Sequence, residues 1–128
     1  MTRPIIERMC PFFIVSRVDR SIAFYRDRLG FETCFQEPDQ EPFLAILGRD
    51  GAMLFIKAGE AAPQPNATRD PAMRWDAYLL VPDPDALAAE FTDRGAGFSK
   101  PLQDTHDGLR GFEITDPDGY VLFFGRPR

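Results

Sequence analysis

The chain has 128 residues, 44% of them hydrophobic, and a formal net charge of −5. That length makes one domain, residues 1–128, with a real buried core, and that hydrophobic content excludes a disordered polymer. The acidic balance, with 15 scattered Lys and Arg and no basic run, excludes the phosphate-binding face that nucleic acid requires.

The N-terminal stretch MTRPIIERMC has no sustained apolar run, and no segment approaches membrane-spanning length, so a soluble cytoplasmic protein without a membrane partner is expected. Residues 10–16 (CPFFIVS) alternate as a strand. Asp19 then caps a helix in which Ile22, Tyr25 and Leu29 recur at helical spacing with Phe24 beside them, and Gly30 ends it. Short strands follow at 32–36, 43–47 and 52–57, the last two joined by GRDG. Residues 59–74, rich in Ala and Pro and without apolar period, form a connector. The order then repeats: a strand at 75–81, a helix DALAAEFTDRG capped by Asp83 or Asp85 and ended by Gly95, and strands near 97–100, 110–115 and 120–125.

The two halves also match residue by residue. Asp50-Gly51-Ala52-Met53-Leu54-Phe55-Ile56 lies against Asp118-Gly119-Tyr120-Val121-Leu122-Phe123-Phe124 at a constant offset of 68, and Gly30-Phe31 lies against Gly97-Phe98 at 67. This is a duplicated βαβββ unit, repeat one at 9–58 and repeat two at 75–125. Each unit sets a helix on one face of a sheet, which leaves the other face for a second unit, a partner chain or a ligand.

Strand alternation sorts those faces. Phe13 and Val15 oppose Cys10, Phe12 and Ile14. Ala77, Leu79 and Val81 oppose Asp76, Tyr78 and Leu80. Leu54 and Ile56 oppose Met53, Phe55 and Lys57, while Leu122 and Phe124 oppose Val121 and Phe123. One set is uniformly apolar and suits packing beneath a helix. The other mixes Cys, Asp, Tyr and Lys with apolar groups, as a ligand cleft does. Cys10 and Cys34 form no CxxC pair and lie in apolar segments, so reduced, buried thiols are expected.

With VDRSIAFYRDRLGF (18–31), VPDPDALAAEF (81–91) and GLRGFEITDPDGYVLFF (108–124) as anchors, the chain resembles the vicinal oxygen chelate superfamily over residues 9–125. That superfamily includes glyoxalase I, extradiol dioxygenases, and fosfomycin and bleomycin resistance proteins. The resemblance implies an α+β fold of two βαβββ modules whose curled, mixed sheets form a cleft. It also implies that metal-dependent members carry His, Glu or Gln at four strand positions, which fall here on Cys10, Phe55, Asp76 and Phe123. Phenyl rings offer no lone pairs, so Phe55 and Phe123 leave too few donors for a divalent ion. A rearranged set of Asp76, His106 and Glu113 would need three distant segments to converge.

Other catalytic patterns are absent: there is no GxSxG elbow and no phosphate-cradling glycine loop. Cys10 with His106 forms a nucleophile pair only on paper. Asp76, between Trp75 and Tyr78, is either a cleft acid or a strand-end acid bonded to backbone. Arg110 reaches either a carboxylate of the fold or an anionic ligand.

The resulting expectation is a metal-free, cofactor-free binding protein of the bleomycin-resistance type, sequestering an aromatic or cationic small molecule such as a bleomycin-type antibiotic. Its cleft set is Cys10, Phe12, Met53, Phe55, Asp76, Tyr78, Arg110 and Phe123. The resemblance implies a homodimer with clefts between subunits. The alternative is a superfamily lyase, isomerase or dioxygenase with an atypical metal site or a metal-free mechanism.

Overall fold

A computed structural model of the chain describes residues 2–128. The elements run β1 (Phe12–Ile14), α1 (Val18–Leu29), β2 (Glu32–Glu37), β3 (Leu44–Arg49), β4 (Ala52–Lys57), β5 (Ala77–Leu80), α2 (Pro84–Asp93), β6 (Lys100–Asp104), β7 (Leu109–Thr115) and β8 (Val121–Pro127), with one 3₁₀ turn at Asn66–Thr68 between β4 and β5. They form two open, mixed, four-stranded sheets of the same order, β1-β4-β3-β2 and β5-β8-β7-β6. In each, the first strand runs parallel to the last and the remaining pairs are antiparallel. This is the α+β architecture of two βαβββ modules.

Local chemistry explains the helix ends. Helix α2 starts at Asp83, whose side chain accepts the Ala86 N–H, with Pro84 in the first turn. Helix α1 starts earlier than its sequence indicates. Arg17 stands at the N-cap without a side-chain cap, and Asp19 sits inside the first turn, accepting from Arg20 N–H and pairing with Arg17. A carboxylate there still faces the positive helix end. Gly30 closes α1 at a φ of 70°, a left-handed conformation that favours glycine. Strand β6 begins at Lys100 rather than 97. Phe98 turns inward against Phe112 at a ring distance of 5.1 Å, and pairing with β7 starts only at Lys100 opposite Glu113. The two thiols are unpaired but not buried as expected: Cys34 is exposed because β2 is an edge strand with little cover, and Cys10, ahead of β1, is half-buried.

Alternation delivers the core. Phe13, Val15, Ala45, Leu47, Leu54 and Ile56 from the first sheet meet Val18, Ile22, Tyr25 and Leu29 of α1. Phe112, Ile114, Leu122 and Phe124 of the second meet Ala88 and Phe91 of α2, and all belong to one buried cluster. Phe91 stands edge-on to Phe112 and Phe124, at 5.8 and 5.1 Å.

Two junctions join the halves. At the first, the Tyr120 ring stacks on Phe13 at 4.1 Å and 6°, and its hydroxyl donates to the Ile14 carbonyl at 2.6 Å. Beside it the buried Tyr25 hydroxyl donates to Asp116 Oδ2 at 2.8 Å, while Asp116 Oδ1 accepts the N–H groups of Asp118 and Tyr120. Asp118 Oδ1 accepts from Ser16 N–H, Ser16 Oγ and Arg20. At the second junction, Arg49 makes a bidentate pair with Glu90 at 2.7 and 2.8 Å and also donates to the Leu29 carbonyl. Arg49 and then Arg94 hold the Glu90 carboxyl down at about 2.

Burial pushes the Asp116 carboxyl up to about 6 from 3.8, against the lowering effect of its hydrogen bonds. A folded-state value above the unfolded one means that the native protein binds this proton more tightly. The associated stability is complete below about pH 4 and is lost as pH rises through about 6. Asp116→Asn keeps the two backbone acceptor bonds and turns an amide toward Tyr25. Relative to this variant, the wild type is expected to lose roughly 2–3 kcal/mol of unfolding free energy between pH 4 and pH 7. Urea unfolding of both proteins across that range measures the difference; parallel pH profiles would count against the assignment.

Candidate functional site

Each sheet turns one face to its helix and the other outward, and the outward faces carry most of the sequence candidates. On the first sheet, parallel pairing sets Phe12 beside Phe55, and their rings stack at 4.4 Å and 14°. Phe35 and Phe55 flank Ile46 by register, which widens the apolar surface. Phe12 is 58% and Phe35 46% exposed, so this face presents aromatic rings to its surroundings. Met53 shares the face with Phe55, half-buried, and Cys10 lies just ahead of β1.

The second sheet is built differently. Register sets Tyr78 beside Phe123, with rings at 5.6 Å, and Trp75 covers Phe123 at 4.1 Å and 22°. Phe123 lies flat because the two glycines beneath it, Gly111 and Gly125, are paired with each other across the strands. A Cβ at Gly111 would come within 2.5 Å of Phe123 Cζ, and one at Gly125 within 2.6 Å of its Cε2. Phe123 is thereby only 3% exposed: it has the outward parity expected of it, but forms the floor of the face rather than an open wall. Tyr78, 44% exposed, is the accessible edge of this stack.

Glu113 is the residue opposite Phe123, and its side chain is buried. Arg74 Nη2 donates to its Oε1 at 2.6 Å and Trp75 Nε1 to its Oε2 at 2.8 Å. The carboxylate thus clamps the indole over Phe123. Arg74 and Trp75 were not among the candidates, and Glu113 was weighed only as part of a rearranged metal set. The signal was present in β7, where inward Phe112 and Ile114 force Gly111 and Glu113 outward.

Two candidates are corrected. Asp76 Oδ1 accepts the Asn66 N–H and Oδ2 the Val121 N–H, each at 2.8 Å, so its lone pairs tie the β4–β5 connector to β8 and are not offered to a ligand. Arg110 lies on the helix side of β7. Its Nε and Nη2 bind Asp85 at 2.8 and 2.9 Å and its Nη1 binds Asp104 at 3.1 Å, which takes the guanidinium away from the aromatic faces. The structure therefore joins Phe12 with Phe55, and Tyr78 with Phe123, as two separate groups on two sheets.

The donor set does not fit a divalent ion. Of the four strand positions, two are phenyl rings and Asp76 is spent on backbone. Glu113 is taken by Arg74 and Trp75, and among the described residues no three His, Cys, Asp or Glu side chains gather to hold a metal. A cavity of about 810 Å³, bordered by β4, β5 and α2, meets the second stack at Tyr78; of the candidates only Met53 and Tyr78 line it.

The crystal structure of the bleomycin-binding protein from bleomycin-producing Streptomyces verticillus, solved with copper(II)-bleomycin, matches with a TM-score of 0.70 and 25% identity over the whole of both chains. TioX from Micromonospora sp. ML1 matches with a TM-score of 0.73 at 21% identity, over 94% of this chain and 98% of its own. A glyoxalase-related enzyme from Clostridium phytofermentans reaches 0.73 at 14% identity over 98% of each chain. At these identities the last two show a shared fold only. No curated protein matches the sequence significantly. The sequence model of one family spans residues 8–124, and with two βαβββ modules built around outward sheet faces, the chain belongs to the Glyoxalase/Bleomycin resistance protein/Dioxygenase superfamily.

Proposed function

We propose that this protein binds a planar aromatic, preferably cationic, small molecule without a metal, as a cytoplasmic homodimer in which the first-sheet face of one copy closes over the second-sheet face of the other. The observation that carries the reading is the pair of aromatic stacks, Phe12–Phe55 and Trp75–Phe123–Tyr78, at the centres of the outward faces. Ring faces attract flat ligands by offset stacking and attract cations through their quadrupole. A net charge of −5 favours a cation over an anion. Exposed Phe12, Phe35 and Leu80 lie along unclosed sheets, the kind of surface a second copy covers. Two unpaired thiols, one exposed, suit a reducing compartment. Among the described residues no helix is long and apolar enough to cross a membrane. Bleomycin, which the Streptomyces verticillus protein carries as its copper complex, is a fitting first probe.

Trp75 is the only tryptophan and sits in one of the stacks, so its emission reports occupancy. Metal-free bleomycin is expected to quench it saturably, with EDTA making no difference. Phe55→Ala and Tyr78→Ala should each weaken binding about tenfold, the value of one lost ring stack. Binding that requires an added divalent ion, or stoichiometric zinc, nickel, manganese or iron in protein purified without chelator, would overturn the reading.

The clamp has its own test. Glu113→Ala removes the acceptor of both Arg74 and Trp75. It should lower the unfolding free energy by about 2 kcal/mol, discounted from the fully buried case because Arg74 is partly exposed. Trp75 emission should shift to the red as the indole loosens. Glu113→Gln, which can still accept from the indole, should keep the emission maximum while losing part of the stability.

A further inference from the structure

Comparing the two junctions between the halves exposes a missing ring. Strand register makes Tyr78 the counterpart of Phe12 and Phe123 that of Phe55. By the same register Leu79 corresponds to Phe13, Leu80 to Ile14 and Ala52 to Tyr120. At the first junction, Tyr120 fills the space between the sheets, stacked on Phe13 with its hydroxyl on the Ile14 carbonyl. At the second, Ala52 and Leu79 replace both rings, and the space is the cavity of about 810 Å³, lined by Ala52, Leu79, Leu80 and Phe91. That volume lies in the range of small-molecule sites.

The geometry points to a second ligand site here, for a phenol whose ring takes the place that Tyr120 takes at the other junction and whose hydroxyl donates to the Leu80 carbonyl. Strand β5 is a sheet edge, paired only with β8, so the main chain at Leu80 borders the cavity without a neighbouring strand on that side. The rim sets the charge. Three acids, Asp50, Asp83 and Glu90, stand there against Arg49, which is already bidentate to Glu90, and Glu90 also accepts from Arg94. A neutral or cationic substituent is accepted and an anionic one repelled. Of the stacked residues only Tyr78 lines the cavity, while Phe12, Phe55, Trp75 and Phe123 do not, so the site is distinct from the sheet-face stacks of the function proposed above.

Calorimetric titration and thermal unfolding of the full chain with tyramine test this. Saturable one-to-one binding and a raised Tm are expected. Phenethylamine, without the hydroxyl, should bind about fivefold more weakly, and 4-hydroxyphenylacetate about tenfold more weakly. Ala52→Tyr supplies the ring from the chain itself and should abolish binding. Ala52→Leu, a smaller change that tests the site should the tyrosine variant fail to fold, should weaken it about tenfold. Quenching of Trp75 by bleomycin should be unchanged in both variants, so this site and the sheet-face site succeed or fail separately. The proposal is overturned by the absence of saturable tyramine binding to the wild type. It is also overturned if tyramine quenches Trp75 and still binds Ala52→Leu, which places it on the sheet face. A wild type indifferent to tyramine whose oligomeric state changes with Ala52→Tyr would assign the cavity to a second copy and overturn it equally.

Discussion

The hydrogen bond from Tyr25 to Asp116 holds the architecture together. It joins the helix of the first half to the β7–β8 turn of the second, and it is fully buried. A carboxylate in that position must satisfy its lone pairs, and it does so with Tyr25 and two backbone N–H groups of its own turn. The turn is thereby fixed in shape, which sets Tyr120 on Phe13 and Asp118 beside Ser16. Because this junction spends the inward faces of both sheets on one common core, the outward faces take no part in joining the halves.

Those outward faces then diverge chemically although they descend from one repeated pattern. The first keeps its rings accessible. The second sinks its central ring onto a pair of glycines and roofs it with an indole held by a buried acid. Stacking surfaces of unequal depth are complementary rather than identical, so two copies meeting first face to second face would enclose a slot instead of pressing like surfaces together. In the same way the two internal junctions have diverged, one filled by Tyr120 and the other open at Ala52.

Much of the fold is written in local pattern. The Asp-Gly turns and the offset of 68 between Phe55 and Phe123 expose the duplication directly, and alternation separates Leu122 and Phe124 from Phe123. Strand ends are less legible. The start of β6 is decided by its partner β7, not by the Gly97-Phe98 echo of Gly30-Phe31. Within the site, alternation carries direction but not depth. It cannot say that Phe123 lies under Trp75, since that depends on Gly111 and Gly125 in register around it. It cannot see that Asp76 is occupied, since Asn66 lies in a connector without period. Arg110 shares parity with Phe112 and so with the helix side, but only the position of Asp85 in the first turn of α2 shows where its guanidinium ends.

The glycine bed beneath Phe123 also constrains how this surface can change over evolutionary time. A carboxylate introduced at position 123 alone would drop into a slot shaped for a ring, roofed by Trp75, next to the acid Glu113 whose bonds are already committed. Side chains at 111 or 125 would collide with backbone as well as with the ring. Reaching a lone-pair donor at this site therefore requires concerted replacement at several positions, each deleterious by itself. The surface is held in its aromatic form by the coupling of its neighbours, and sequences diverging from it one residue at a time will alter the accessible rim, Phe12, Phe35 and Tyr78, long before they alter the floor.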